Sequence, residues 1–393
     1  MSLNVLHITP YYEEAWGYGG IPRVVVSLCK GLARRGHKVT VCTTDAKDAN
    51  TRASQLGPKE VSKDAVEVRV FRNLSNTLAY HKQLFLPLGL KKYLKRMAKE
   101  FQVAHLHGCH NLPGTIAATE LINAGVPYVL TPNGTALRIE RRKLAKWVFD
   151  TTLGRQVLPG ASRITAVTKA EVVQLQSLGI PPEKIAILPN PIDLETFACI
   201  RSDEEFRRRW QLPFSRFVLF LGKITPRKQI DLLVRAFSFL DMPDVGLVIA
   251  GNDMGGAKKA KRTAKNLHLG NRVQFVGQLE GNDRAAALAG AEVVAYPGRD
   301  EVFGLVPLEA LLCGSPVVVA DDSGCGEVIQ KVGGGIVVSQ GDLKALSLAL
   351  ADILADGEGW KPNISEAQVQ IRQLFSGDTV AAICEQVYDE AIS

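Results

Sequence analysis

Two glutamates in residues 299–309 have the type and spacing to hold a small polar ligand. Glu301 lies in a predicted loop, and Glu309, eight positions later, falls in the first turn of a helix that Pro307 helps to start. The backbone N–H groups of residues 303–305 can face an anion beside the positive end of that helix. The two oxygens of the Glu309 carboxylate suit a vicinal diol such as that of ribose. Together these groups fit a nucleotide sugar better than a free phosphate. The alternative is that Glu309 only stabilises the start of a helix and that Glu301 is a solvated charge in a loop.

Two lysines follow another predicted strand, 217–221, and can supply positive charge. Lys223 leaves the end of this strand, and Lys228 comes just before a predicted helix that contains Ile230. Both ammonium groups can therefore reach one diphosphate and offset its charge. The alternative interpretation is a pair of solvated lysines beside a turn.

A glycine-rich loop, Gly17-Tyr18-Gly19-Gly20, follows the first predicted strand. Glycines allow the backbone to come close to a ligand. The pattern is not G-x-G-x-x-G, and no acidic residue suited to binding a ribose follows the next strand. A dinucleotide site such as that of an oxidoreductase is therefore disfavoured.

Two histidines lie at the end of the predicted strand 103–107. Strand alternation puts His105 and His107 on one side of the sheet, but His107 is the one that reaches the loop. His107 is therefore the candidate for contact with a ligand. A buried structural histidine is the alternative, and it suits His105 better.

These loops belong to an alternating series of strands and helices. The predicted strands are 5–8, 38–44, 103–107, 128–131 and 164–167, then, after a charged stretch, 217–221, 246–250, 273–276, 293–296 and 317–320. Helical crossovers between strands imply parallel sheets, in which ligands bind outside the carboxyl ends of the strands. The predicted fold class is α/β, with two Rossmann-like domains that each contain a parallel sheet.

Composition excludes several classes of protein. The 393 residues are 46% hydrophobic, which is enough for two globular cores, and no apolar run approaches the roughly 20 residues of a membrane span. No basic leader followed by an apolar run stands at the N-terminus, so we expect neither export nor membrane insertion. The seven cysteines are dispersed, odd in number and without a C-x-x-C pair, which indicates reduced thiols in place of disulfides or a zinc knuckle.

The charge balance favours anionic partners. Lysine and arginine number 47 against 40 aspartates and glutamates, a surplus of 7, and this surplus does not choose among phosphates, a membrane surface and nucleic acid. Basic stretches at 91–99 and 141–149, the second with Trp147, could rest on an anionic membrane or form solvated helices with core aromatics. No D-x-D triplet and no metal-ligand spacing occurs, so no metal is expected.

The run from Glu301 to Glu309 resembles the E-x7-E signature of retaining glycosyltransferases of the GT-B architecture, family 4 (group 1) in particular, and the neighbouring loops agree in order and spacing. The resemblance implies that Glu309 holds the donor ribose and that Glu301 binds hydroxyls of the transferred sugar. It also implies roles near the diphosphate or the sugar for Phe303, Gly304, Leu305, Lys223, Lys228, Gly19, Gly20 and His107. Of these site residues, the implied catalytic ones are Glu301, Lys228, Lys223 and His107.

By the same resemblance, an acceptor-binding domain is expected at 1–190, an interdomain linker at 191–213 and a nucleotide-sugar-binding domain at 214–364. The helical segment 365–393 could cover either domain, a return to the N-terminal one included. The two domains are expected to face each other.

The implied reaction moves a hexosyl group, with retention and without metal, from a nucleotide diphosphate sugar to a saccharide or lipid-linked saccharide hydroxyl. The donor is expected to be UDP-linked, and the setting to be polysaccharide or glycolipid biosynthesis in the cytoplasm. The nucleotide sugar is a substrate, so no cofactor is expected, and no nucleic acid partner either. The alternatives are an epimerase, which would release an altered nucleotide sugar without an acceptor, and a noncatalytic sensor.

Overall fold

The computed structural model describes residues 2–53, 58–59, 66–137, 143–197, 204–322 and 324–393. The chain divides into two units. The first unit comprises Met1–Asp193 together with Phe375–Ser393, and the second comprises Leu194–Leu374.

The first unit is built on an eight-stranded sheet with the order β3-β4-β2-β1-β5-β6-β7-β8. Its strands are β1 (Asn4–Ile8), β2 (Lys38–Thr44), β3 (Pro58–Lys59), β4 (Val66–Phe71), β5 (Val103–His107), β6 (Tyr128–Thr131), β7 (Arg163–Ala166) and β8 (Ile185–Ile187). The short β3 pairs antiparallel with β4, and the other pairs are parallel.

The second unit is built on a parallel six-stranded sheet with the order β11-β10-β9-β12-β13-β14. Its strands are β9 (Arg216–Leu221), β10 (Val245–Ala250), β11 (Val273–Gly277), β12 (Val293–Tyr296), β13 (Val317–Ala320) and β14 (Gly335–Val338). Strands β9, β10, β12 and β13 are almost wholly buried runs of apolar residues, as parallel strands covered by helices on both faces require.

Helices connect the strands and cover the sheets. In chain order they are α1 (Gly20–Arg34), α2 (Asn76–Lys82), α3 (Leu90–Met97), α4 (Leu112–Ala124), α5 (Lys143–Thr151), α6 (Lys169–Ser177), α7 (Glu204–Arg209), α8 (Ile230–Phe237), α9 (Ala257–Asn266), α10 (Gly281–Ala289), α11 (Leu305–Leu312), α12 (Gly324–Val332), α13 (Leu343–Ala355), α14 (Lys361–Phe375) and α15 (Gly377–Ile392).

The fold class predicted from the sequence is confirmed, since both units are α/β with parallel sheets. Strands β2, β5, β6, β12 and β13 have the predicted bounds. The strands β3, β4, β8 and β14 are additional, and they lie toward the edges of their sheets.

The division between the two units, after Asp193, falls within the segment 191–213 that the sequence suggested as a linker. Residues Leu194–Leu374 form the second unit, in which Phe206 of α7 is buried and its ring packs against Phe217 of β9. The predicted C-terminal helix is two helices, separated at Ser376, whose hydroxyl accepts a hydrogen bond from Thr379 N and so begins α15. Helix α15 packs on α1 within the first unit.

Both strand orders reverse at one point, which decides where a ligand can enter. In the first sheet, the strands that follow β1 are added on one side of it, and from β5 onward they are added on the other side. In the second sheet, the order reverses in the same way between β9 and β12. Loops that follow such neighbouring strands diverge to opposite faces and leave a crevice at the carboxyl ends. The fold therefore predicts ligand contacts from the loops after β1, β5, β9 and β12.

Candidate functional site

Lys228 is fixed in the crevice of the second sheet by the loop that follows β9. A 3₁₀ turn, Pro226–Lys228, comes directly before α8. The Lys228 side chain is buried, and its Nζ donates hydrogen bonds to Glu301 Oε2 and to the hydroxyl of Tyr296. Nζ also lies 4.2 Å from the centroid of the Tyr296 ring. Because Tyr296 is the last residue of β12, this network joins the two strands at which the strand order reverses.

Glu301 is held by the backbone of its own loop as well as by Lys228. The loop after β12 lies against the loop after β9, since Arg299 N donates to Arg227 O at 3.0 Å and Arg227 Nη1 donates to Asp300 O at 2.7 Å. On the other side, the N–H of Cys325 donates to Glu301 O at 2.8 Å. The carboxylate therefore has a defined place before any ligand binds.

Both members of the pair stay charged. Burial raises the pKa of Glu301, but the positive charges of Lys228, then Arg227 and Lys223, outweigh burial and leave this pKa below its ordinary value. Burial likewise lowers the pKa of Lys228, and the charge of Glu301 reverses the shift and raises it. Lys223, which is half-buried at the end of β9, is thus close enough to act on the same carboxylate.

Gly304 and Phe303 shape the start of α11. Gly304 has φ +80° and ends the loop directly before the helix, and a Cβ at this position would lie 2.3 Å from Cys325 Sγ. Phe303 is buried, and Leu305 is the first residue of the helix. Glycine is therefore required by both conformation and space, and the positive end of α11 begins where the sequence placed an anion.

Glu309 lies one turn further into the helix than the sequence suggested. The helix begins at Leu305, so Glu309 is its fifth residue and belongs to the second turn. Its side chain is buried and accepts a hydrogen bond from Arg284 Nη2 of α10. The structure thus adds Arg284, which sequence reasoning missed because the two residues are on different helices and no local spacing connects them.

The first unit places Gly19, Gly20 and His107 at the carboxyl end of its sheet. Gly19 has φ +109° and precedes α1, of which Gly20 is the first residue. His107 is the last residue of β5, the strand beside β1. These residues therefore belong to the crevice of the first sheet, as Lys228 and Glu301 belong to that of the second.

His107 belongs to a buried histidine network, which we define as His7, His105, His107, Tyr388, Thr131 and Thr165. His7 Nδ1 lies 3.0 Å from His107 Nε2. The Tyr388 hydroxyl of α15 lies 2.9 Å from His105 Nδ1 and 3.3 Å from His7 Nε2. Among the residues that the structure describes, His107 Nδ1 has no hydrogen-bond partner.

The three histidines bring nitrogens within 4.8 Å of one another, a proximity typical of metal ligands. The sequence gave no sign of this cluster, because His7 and His105 are 98 positions apart and meet through the pairing of β1 with β5. Burial lowers the pKa of His7 to about 3 and holds the pKa values of His105 and His107 well below the ordinary value. The three imidazoles are therefore neutral near pH 7.

The basic stretches of the first unit are described in part. Of the second stretch, Arg141 and Arg142 lie outside the described residues. In the described part, Leu144 and Trp147 of α5 are 73% and 49% exposed. Within the described ranges, no helix combines the length and the apolar character that crossing a membrane requires.

The fold and these two crevices define a two-domain α/β protein with sites at the carboxyl ends of its sheets, and two family models match it. The model of "Glycosyltransferase Family 4" matches residues 18–196, and the model of "Glycosyl transferases group 1" matches residues 202–369. The two matches are adjacent and together span most of the chain. The chain belongs to the group 1, family 4 glycosyltransferases of the GT-B fold, and it is a glycosyltransferase.

Individual relatives agree with this assignment over the full length. The chain is 28% identical over 408 residues to a D-inositol 3-phosphate glycosyltransferase of Xylanimonas cellulosilytica, with 100% of this chain and 96% of the relative covered. Among solved structures, HepE of Anabaena in complex with UDP and glucose is similar with a TM-score of 0.75 at 21% identity, covering 98% of this chain and 99% of HepE. Sucrose-phosphate synthase of Thermosynechococcus elongatus has a TM-score of 0.73 at 20% identity, with 99% and 98% covered.

The ion pair allows a prediction on stability and its pH dependence. Lys228→Met leaves the buried carboxylate of Glu301 without its main cation, so we expect a loss of about 3 kcal/mol in the free energy of unfolding at neutral pH. The double variant Lys228→Met/Glu301→Gln should lose less than the sum of the two single variants. Urea denaturation of the four proteins measures this coupling.

The direction in which stability changes with pH follows from the lowered pKa of Glu301. In the wild type this carboxylate contributes stability above its unfolded-state pKa, and the contribution is lost as the pH falls through the lower folded-state value. Lys228→Met removes the main cation and so raises the folded-state pKa of Glu301, which means that the variant should lose less stability than the wild type as the pH falls below the ordinary glutamate value of about 4.3. Lys361→Met, which breaks an exposed pair with Glu358, is the control and should change little. Equal losses in the two lysine variants would contradict the prediction.

Proposed function

We propose that this glycosyltransferase moves a hexosyl group from a UDP-linked sugar to a hydroxyl of a saccharide or lipid-linked saccharide, with retention and without a metal. The observation that carries the proposal is the buried pair of Lys228 and Glu301 at the crevice of the second sheet, with Arg227 and Lys223 acting on the same carboxylate. Three cations grouped around one acid suit a ligand that brings both an anionic and a hydroxyl-bearing part.

The cations and the start of α11 suit the diphosphate. Lys228 stays protonated, and the N–H groups of the first helical turn, which have no acceptor within the helix itself, add a partial positive charge. As the bond from the sugar to the phosphate breaks, negative charge grows on the leaving oxygen, and donors that are already in place stabilise it. Loss of one such donor costs about 3 kcal/mol, or about a hundredfold in rate.

The carboxylates suit the sugar and the ribose. Glu301 is ionised and held by two sides of its loop, so it can accept hydrogen bonds from the hydroxyls of the transferred sugar. Glu309 is buried with Arg284 as its partner, and the oxygens of a carboxylate can accept from more than one donor. Ribose hydroxyls are the donors that we assign to the remaining capacity of Glu309.

The reaction is a same-face substitution at the anomeric carbon. The bond from this carbon to the phosphate oxygen breaks, the bond to the acceptor oxygen forms, and the acceptor's proton passes to the departing phosphate oxygen. His107, at the crevice of the first sheet, donates a hydrogen bond to the transferred sugar. Gly19 and Gly20 let the backbone of the first unit come close to the ligand.

The identity of the donor can be tested first, by measuring the melting temperature of the protein with each of a panel of nucleotide sugars. A UDP-hexose should raise the melting temperature of the wild type, because a ligand that binds the native state stabilises it. Glu309→Gln keeps the shape and the contact with Arg284 but removes the charge, and we expect it to reduce the shift strongly. Glu366→Ala, at an exposed position of the second unit, should leave the shift unchanged. An undiminished shift in Glu309→Gln would refute the ribose role.

The chemistry is tested by following transfer to a panel of acceptors by NMR. The panel should contain saccharides and, because one relative is named for it, inositol 3-phosphate. We expect the product to keep the anomeric configuration of the donor. We also expect the transfer rate to be unchanged by EDTA, because the cations of the proposed site are side chains of the protein itself. Inversion would refute the mechanism, and a complete loss that magnesium restores would refute metal independence.

The same assay separates the rival functions. An altered nucleotide sugar formed without any acceptor would identify an epimerase. Donor binding without transfer or hydrolysis across the acceptor panel would identify a sensor.

We further propose that α5 touches an anionic membrane at the cytoplasmic face, where a lipid-linked acceptor would be found. Leu144, Trp147 and Val148 are exposed on this helix, and α3 carries the exposed cations Lys91 and Lys95. Wild-type protein should sediment with vesicles that contain anionic lipid, less so at high salt. Leu144→Ser/Trp147→Ser should weaken sedimentation, whereas Leu348→Ser, an exposed leucine of the second unit, should not. Absence of binding to anionic vesicles would remove this proposal.

A further inference from the structure

The side chains of the histidine network make more hydrogen bonds to one another than the burial of a single histidine would require. Its side chains form one continuous chain of hydrogen bonds, which runs Thr165–Thr131–His105–Tyr388–His7–His107. The contact from Thr131 Oγ1 to His105 Nε2 is 2.6 Å. The chain ends at His107 Nδ1, which is buried and without a partner among the described residues.

Neutral imidazoles make the direction of this chain a two-state choice. Each neutral histidine has one N–H, so a ring that accepts at one nitrogen donates at the other. Tyr388 has one O–H and contacts both His105 and His7, so both contacts are hydrogen bonds within the network when it donates to one ring and accepts from the other. In that arrangement all the protons in the chain point the same way.

The two directions differ in what they leave unsatisfied. If the chain runs from His107 toward Thr165, the hydroxyl proton of Thr165 has no acceptor in the network, and His107 Nδ1 is an unpaired acceptor. If it runs from Thr165 toward His107, every hydroxyl proton is used, and one group remains, an N–H at His107 Nδ1. An unsatisfied buried polar group costs about 1–3 kcal/mol. The second direction is therefore favoured, and it makes His107 Nδ1 a donor.

A metal centre fits the cluster less well than this chain does. The planes of the His7 and His107 rings are nearly parallel, with 13° between them and 5.2 Å between centroids, and Nδ1 of His7 lies 3.0 Å from Nε2 of His107. The two rings therefore meet edge to edge, and their facing nitrogens point at each other and not toward one common point, as tetrahedral coordination requires. Both nitrogens of His7 and of His105 are already in hydrogen bonds.

We propose that Tyr388 and His7 are positioning residues for His107. They hold it as the neutral tautomer with its proton on Nδ1, so that Nδ1 donates a hydrogen bond to an oxygen of the transferred sugar. The proposal rests on the role of His107 in the proposed function. It gives α15, formed by the last residues of the chain, a part in the site of the first sheet.

The burial of the network supports the same tautomer. Desolvation keeps the pKa values of all three histidines low, so no ring carries two protons and breaks the direction. Cys384 of α15 lies 3.9 Å from His105 Nδ1, and burial raises the pKa of its thiol to about 12. The thiol therefore brings no charge to the network.

The test is nitrogen NMR of the full chain labelled at histidine, combined with kinetics of transfer. Wild-type His107 should show a proton on Nδ1, and the His107→Ala spectrum identifies its signals. Tyr388→Phe and His7→Leu each interrupt the chain, so His107 should shift toward a mixture of tautomers. We expect kcat/KM for the donor to fall by about fivefold to tenfold, as the loss of one neutral hydrogen bond would cause.

His7→Asn is the conservative variant that separates positioning from packing. Its amide nitrogen occupies the place of Nδ1 and can donate to His107 Nε2, so it should restore both the tautomer and most of the rate. Tyr128→Phe is the matched control, because it removes another buried tyrosine hydroxyl of the same unit, one that donates to the backbone oxygens of Gln156 and Val157. It should change stability without changing the His107 signals.

Several outcomes would overturn the proposal. A wild-type proton on Nε2 of His107, or unchanged signals and rate in Tyr388→Phe and His7→Leu, would refute positioning while leaving the proposed function intact. Normal transfer by His107→Ala would instead refute the sugar contact of the proposed function, whatever the tautomer. One equivalent of tightly bound zinc in the purified chain, lost in His7→Leu, would identify a metal centre in place of the network.

Discussion

The buried ion pair between Lys228 and Glu301 is the interaction on which the crevice of the second sheet depends. A buried charge is costly unless it is paired and hydrogen-bonded. Here each member compensates the other, and Tyr296 satisfies a further donor position of the ammonium. Because the partners come from the loops after β9 and β12, their attraction also fixes both loops at the point where the strand order reverses. The pair of Lys228 and Glu301 therefore determines both the charge of this crevice and the positions of the loops that form it.

The crevice of the first sheet also contains buried polar side chains, but these are neutral. This crevice also lies between two strands at which the order reverses, β1 and β5, but the polar side chains there are imidazoles that burial keeps uncharged. A neutral donor can bind a hydroxyl group without attracting an anion, whereas cations attract anions. The difference in protonation therefore gives the two crevices different electrostatic character on one architecture.

Local patterns predicted the parts of this structure that depend on local order. Residues 38–44 alternate apolar and polar side chains and residues 293–296 are an apolar run, so these strands and the loop that carries Glu301 could be placed from the sequence. The start of α11 at Leu305 lies earlier than the sequence suggested. Arg284, Tyr296 and His7 could not be placed in this way, because their partners are brought to them by sheet pairing and helix packing across 25 to 100 positions. The helix break at Ser376 was missed although the apolar pattern changes phase there: positions 364, 371 and 375 and positions 380, 384 and 387 would lie on opposite faces of one continuous helix.

That break has a structural reason that reaches the histidine network. Gly377 directly follows Ser376, and a Cβ at Gly31 of α1 would lie 2.3 Å from Gly377 O, so the two helices are in backbone contact where α15 begins. Close approach at that end fixes the rotation of α15 about its own axis. The same rotation presents Cys384, two turns later, and Tyr388, three turns later, to the sheet, where the Tyr388 hydroxyl reaches His105 of β5 and His7 of β1. Small residues at one end of a helix thus determine a polar contact at the other, and α15 contributes to the histidine network as well as to the core.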